Sequence, residues 1–157
     1  MTKTHIQTWL REIPWALHLV LSPTDLKFSS DERALAALRK MNFFLCKRYL
    51  RRRFSKSCLE HRFHWIAFFQ GTREAGNRHL HVLIYVPTGL RPATPFEEMK
   101  LKTMVRGAWL CAREGCGSLF PWVRAIQDGG DSRRVATYVS RYCSMTSWNE
   151  QDVRFSH

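Results

Sequence analysis

Two histidines one residue apart, His79 and His81, open the stretch NRHLHVLIYVP at residues 77–87. The remainder alternates like a strand. On a strand, side chains point alternately to opposite faces, so His79, His81, Leu83 and Tyr85 share one face, and Leu80, Val82, Ile84 and Val86 share the other. The second set is wholly aliphatic and must be buried against helices. The histidine face is then the open one. Imidazoles at i and i+2 stand about 7 Å apart along a strand, close enough to converge on one metal ion. Two ordinary surface histidines would satisfy the same alternation, so the pair needs a second feature to give it meaning.

That feature lies near the end of the chain. Tyr138 and Tyr142 in TYVSRYCSM are four residues apart and share one face of a helix. Val135 and Val139 mark an adjacent face able to pack. Two phenols projecting together over a sheet are candidate nucleophiles, provided that something lowers the phenol pKa. Arg134 and Arg141 lie beside them to hold phosphate.

The elements that must position these residues can be read in order. PWALHLVLSPTD (14–25) is an apolar run ended by Ser-Pro, a buried strand. His18 within it reads as structural. SSDERALAALRKMNFFLCKRYLRRRF (29–54) carries Leu35, Leu38, Met41, Leu45 and Tyr49 at helical spacing, with Ser30 or Asp31 as the cap. HRFHWIAFFQGT (61–72) is a second strand, Gly76-Asn77 signals a hairpin, and 78–87 is the third strand. Thr94-Pro95 with Glu97 and Glu98 opens a helix over 95–114, which Gly115 and Gly117 stop. LFPWVRAIQD (119–128) is a fourth strand, and Asp131 or Ser132 caps the last helix. The expected fold is therefore α+β: a ferredoxin-like βαββαβ plan with an antiparallel central sheet, helices on one face, and a C-terminal tyrosine-bearing helix. One domain spans 1–145, and 146–157 is a polar tail.

Composition narrows the partner. The chain of 157 residues has a net charge of +12 and a pI of about 10.1, which favours a polyanion, with nucleic acid ahead of a membrane surface. No apolar run approaches the ~20 residues of a membrane span. The N-terminus shows no apolar stretch of a secretory signal. Five scattered cysteines do not form a disulfide framework and fit a reducing cytosol. The basic helix end, with Lys47, Arg48, Arg51, Arg52 and Arg53, is a candidate contact to a nucleic-acid backbone, as are Arg133 and Arg134. Trp65, Trp109, Trp122 and Trp148 are candidates for stacking on unpaired bases.

The HLH strand followed by YVSRY on a helix resembles the HUH endonucleases, the Rep and relaxase superfamily, and within it the two-tyrosine initiators of rolling-circle replication. ALHLVLSPTD falls where that family has its first motif. The family's usual pattern is Tyr, two residues, Lys, Tyr; here Arg141 stands in place of the lysine, keeping the charge and changing its geometry. The resemblance covers about residues 14–145. It implies a single-stranded DNA endonuclease and strand transferase in which Tyr138 or Tyr142 attacks phosphorus, holds the 5′ end as a phosphotyrosine and releases a 3′-OH for priming. It implies a divalent Mg²⁺ or Mn²⁺ held by His79, His81 and a third ligand. Gln70 is favoured for that place; Glu74 in the turn and His64 are the other candidates. Arg141, Arg134 and Arg133 would steady the charge on phosphate. It further implies a replication-origin hairpin as substrate, a host helicase and polymerase as partners, and the cytoplasm of a bacterial or archaeal host as setting, with no helicase attached to the nuclease. Two rival readings stand beside it: a ferredoxin-like module that binds single strands without catalysis, and a metal-dependent hydrolase that cuts with water.

Overall fold

The computed structural model describes residues 3–21, 30–50, 61–71, 78–114, 121–127, 129–140 and 153–155. Its elements are α1 (Lys3–Glu12), β1 (Leu17–Leu21), α2 (Asp31–Leu50), β2 (His64–Gln70), β3 (His79–Tyr85), α3 (Pro95–Ala112), β4 (Trp122–Ala125), α4 (Gly129–Ser140) and β5 (Val153–Phe155). The strands form one sheet in the order β4-β1-β3-β2-β5. Every neighbouring pair is antiparallel. The first four strands give the split βαβ arrangement, with β3 inserted between the parallel pair β1 and β2, as the ferredoxin-like plan requires.

The alternation read from the sequence sets the two faces. Leu17, Leu19 and Leu21 lie opposite Ile84, Val82 and Leu80, and all six are buried in one core with Trp65, Ala67 and Phe69 of β2. Against this face lie Leu35, Leu38, Met41 and Leu45 of α2 and Leu101, Val105 and Trp109 of α3. Each fully buried leucine here contributes about 1.5–3 kcal/mol. α2 starts where Ser30 Oγ accepts the backbone N–H of Arg33 at 3.1 Å. α3 starts with a complete capping box: Thr94 Oγ1 accepts from Glu97 N, Glu97 Oε2 accepts from Thr94 N, and Pro95 takes the first turn. At its other end the left-handed residue is Glu114, with φ 46°; the helix ends before the glycines expected to stop it, which lie outside the described residues.

Three features depart from the expected plan. α1 was not anticipated. It is short, and Pro14 follows it closely, but Leu10 and Trp9 on one side find a partner in Val135, Ala136 and Val139 of α4. The Trp15 indole closes the end of α1 by donating to the Leu10 carbonyl at 2.9 Å. So helices cover both faces: α2 and α3 on the aliphatic one, α1 and α4 on part of the other. Second, α4 begins at Gly129, ahead of the expected caps Asp131 and Ser132, which sit buried inside its first turn. Third, residues 153–155 of the supposed tail extend the sheet by pairing with Ile66–Phe68 of β2. Among the described residues no helix is long and apolar enough to cross a membrane.

Candidate nucleic-acid cleft with a histidine centre

The second face of the sheet is divided. Leu83, Ile66 and Phe68 are sealed under Val135, Ala136 and Val139 of α4 and Leu10 of α1. Leu83, which shares its face with the histidines, is therefore not open to solvent. Only the end of the face carrying the histidines forms a cleft, of about 720 Å³, between β1, β3, β4 and α4.

The register brings five polar side chains to this end: His18, Gln70, His79, His81 and Arg124. Gln70 lies opposite His79, and Phe68 opposite His81. Val20 lies opposite His81 on the other side, and Arg124 lies opposite His18. The His81 ring is the hub. Its Nδ1 is 3.0 Å from His18 Nε2, and its Nε2 is 2.9 Å from Gln70 Oε1. An amide oxygen only accepts, so His81 carries its proton on Nε2 and donates it to Gln70. Nδ1 is then the acceptor for the Nε2–H of His18. The His18 ring stacks on His81 at 5.2 Å between centroids, and His79 meets His81 edge-on at 5.0 Å.

Burial sets the charge state of this chain. His81 is 3% exposed, against the expectation that it faces the open side, because His18, His79 and Tyr138 close around it. Desolvation, then the neighbouring His18 and His79, push its pKa down to about 3. Desolvation, then the Arg124 charge, lowers that of His18 to about 4. Both rings are neutral at neutral pH, the state in which imidazole binds a metal.

Tyr138 reaches this centre from above. Its ring stands edge-on to His81 at 5.7 Å, and the side chain remains 44% exposed. The helix that carries it is tied to the sheet at its start. Asp131, buried, accepts from Arg124 at 2.7 Å and from the backbone N–H of Gln127 at 3.2 Å. Arg78 performs the matching service for β3: it pairs with Asp31 at 2.7 Å, donates to the Gly71 carbonyl at 2.9 Å and stacks on Phe69. The strand start, and His79 with it, is thereby fixed against α2 and β2.

The donor set suits a divalent cation. Gln70 Oε1 and His81 Nε2 stand 2.9 Å apart, the spacing of two adjacent ligands about one Mg²⁺ ion at ~2.1 Å each; to ligate there His81 would give up its Nε2 proton and take the Nδ1–H tautomer, with His18 Nε2 as the acceptor. The set is wholly neutral, so substrate phosphate and water would supply the remaining oxygen ligands. No three His, Cys, Asp or Glu side chains among the described residues are placed to hold a metal ion by themselves.

Of the residues singled out from the sequence, His79, His81, Gln70, Tyr138 and Arg134 meet at this cleft. Arg133 lines a smaller cleft next to it. Arg48 lies across the sheet on α2, beside an apolar groove with Phe44 and Met104, and does not join the site. His64 is at the far end of β2 from Gln70, about 20 Å along the strand, with its ring against Tyr85. Trp65 and Trp109 are core residues. Trp122 alone of the described stacking candidates is available: it is 51% exposed and stands edge-on to His18 at the cleft wall. Arg51, Arg52, Arg53, Glu74, Arg141, Tyr142 and Trp148 lie outside the described residues. The sequence reading missed His18 as a member of the centre. Its place opposite Leu17, Leu19 and Leu21 marked it as facing the histidine side; which strand would be its neighbour was not written there.

Fold and site together define an α+β protein with a ferredoxin-like sheet, one face of which holds a buried imidazole cluster beneath a tyrosine helix. No family model, no curated protein and no solved structure matches the chain.

Proposed function

We propose that the protein is a metal-dependent endonuclease and strand transferase acting on single-stranded DNA, of the two-tyrosine type that initiates rolling-circle replication. The observation that carries this reading is the docking of the tyrosine helix across the histidine face, with Tyr138 against His81 at 5.7 Å. A core histidine would need no exposed phenol over it, and a rim tyrosine would need no neutral imidazole cluster under it.

The Tyr138 oxygen attacks phosphorus and loses its proton as the new O–P bond forms. The bond from phosphorus to the 3′ oxygen breaks, and that oxygen takes up a proton and leaves as a 3′-OH. The ester bond keeps the strand's 5′ end on the protein, so a second 3′-OH can reverse the step and rejoin strands. His79, His81 and Gln70 would hold a divalent cation, which would supply Lewis-acid polarisation of the scissile phosphate. His18 Nε2 would accept the Nδ1–H of the metal-binding tautomer of His81 and so hold its Nε2 toward the cation. Arg134 faces the negative charge that develops on the phosphate oxygens. Trp122 offers an exposed ring on which an unpaired base stacks. Tyr142, four residues on in the sequence, is the second nucleophile, and Arg141 a further cation. An origin hairpin is the substrate; a host helicase unwinds the duplex and a host polymerase extends the 3′ end.

The test is incubation with single-stranded oligonucleotides and Mn²⁺ followed by a denaturing gel. A metal-dependent protein–DNA band that disappears in the Tyr138→Phe/Tyr142→Phe double variant supports the reading. Intact binding with no adduct across a broad oligonucleotide pool overturns it in favour of a binding module. Cleavage without an adduct overturns it in favour of a hydrolase.

A further inference from the structure

The cleft does not end at Tyr138. Behind it, where α1 crosses α4, lies a second concavity of about 360 Å³ lined by Arg11, Arg133, Arg134, Thr137 and Tyr138. The two clefts have Arg134 and Tyr138 in common, so they form one trough with the tyrosine at the divide. Arg133 and Thr137, and Arg134 and Tyr138, are each four apart on α4, so they stand in two adjacent rows along the helix. Arg11 comes from the last turn of α1.

The charge of this second concavity is uncompensated. Arg124 and Arg78 are neutralised by Asp131 and Asp31. Arg11, Arg133 and Arg134 are exposed and have no ion-pair partner among the described residues, and no carboxylate lines the space between them. Three guanidinium groups gathered around one hollow repel one another, and fold stability gains nothing from it. A guanidinium fork matches phosphate oxygens two at a time. At the other end of the trough stands the exposed ring of Trp122.

We infer that this α1–α4 cleft is a phosphate-binding subsite that seats the backbone of the single strand after it has crossed Tyr138, with bases stacked at the Trp122 end. The strand thus runs the length of the trough and presents one phosphate to the tyrosine. α1 is then a part of the nucleic-acid surface as well as a support for α4. The direction of the strand rests on the nuclease reading; the binding does not.

Binding of a labelled oligodeoxythymidylate is measured by anisotropy over a salt series in EDTA, so that no cleavage intervenes. For single strands the slope of log K against log salt is about 0.7 per phosphate neutralised. The Arg11→Gln/Arg133→Gln variant should therefore lose about 1.4 from the wild-type slope. The Arg39→Gln/Arg106→Gln variant, with the same charge change on the exposed side of α2 and α3, should keep the wild-type slope. An unchanged slope in the α1–α4 variant, an equal loss in the control, or displacement of the oligonucleotide by polyglutamate at equal charge overturns the subsite. The adduct assay with Mn²⁺ separates the two proposals. A reduced slope with no adduct in the wild type leaves the subsite standing and removes the nuclease. An unchanged slope with a normal adduct does the reverse.

Discussion

Acid should destabilise this protein through two imidazoles, and the size of the effect follows from their burial. His18 and His81 have an ordinary pKa of 6.5 when unfolded, and about 4 and about 3 when folded. The folded values are depressed, so in acid the unfolded chain takes up protons first. Each ring's contribution is intact above pH 6.5 and is lost as pH falls toward the folded value. Over that window each ring costs the fold about 1.4 kcal/mol per pH unit. Going from pH 7 to pH 5 therefore removes about 2 kcal/mol per ring, on the order of 4 kcal/mol for both. At 2–4 °C per kcal/mol for a chain of this size, the melting temperature should fall by about 8–16 °C. The assay is thermal or urea unfolding across pH 5–7 in EDTA, on the wild type and on His18→Leu and His81→Leu. Each single variant should show about half the wild-type slope. A wild-type stability that is flat between pH 7 and pH 5, or a full slope retained in both variants, would refute the buried neutral cluster. Because His81 is a proposed ligand, Mn²⁺ should raise stability at pH 7 more than at pH 5.

Three further predictions concern the scaffold and the centre. Asp131→Ala removes a buried acceptor of one charged and one backbone donor and should cost about 2–3 kcal/mol in urea unfolding, with adduct formation at Tyr138 reduced beyond what the loss of folded protein explains, since the start of α4 is no longer tied to β4. Gln70→Glu replaces a neutral ligand by a charged one and should tighten Mn²⁺ binding in calorimetry by a factor of ten or more, on the order of 1.4 kcal/mol; unchanged affinity would exclude Gln70 from the metal shell. Thr94→Ala breaks the capping box on the far side of the sheet and should cost about 1 kcal/mol, while leaving the amount of adduct per folded molecule at the wild-type level.

Much of the centre follows from strand alternation. HLHVLIY has period two over its whole length, so which residues share a face was readable, and Leu80, Val82 and Ile84 are buried as that pattern demands; that His81 and Leu83 on the other face are buried as well was not. The cap of α3 was legible for a similar reason: Thr94, Pro95 and Glu97 act on backbone groups within one turn of themselves, and local chemistry needs no tertiary context. α1 is the opposite case. Lys3–Glu12 is stable because Trp9 and Leu10 meet Val135, Ala136 and Val139, residues more than a hundred positions away, and nothing local distinguishes it from a frayed end. β5 likewise exists only through its pairing with β2.

The candidate site divides along the same line. The sequence by itself determined that His79 and His81 share the strand face opposite Leu80, Val82 and Ile84, because side-chain direction within an element is fixed by its own backbone period. It also determined the excess of positive charge. The tertiary structure alone decided that His18 becomes the third imidazole, that Gln70 lies within hydrogen-bonding distance of His81, that His81 is buried, and that Arg11 joins Arg133 and Arg134. Each of these depends on which strand lies beside which and where one helix crosses another. Register and crossing are settled by packing the whole core at once, and no window of neighbouring residues contains that information.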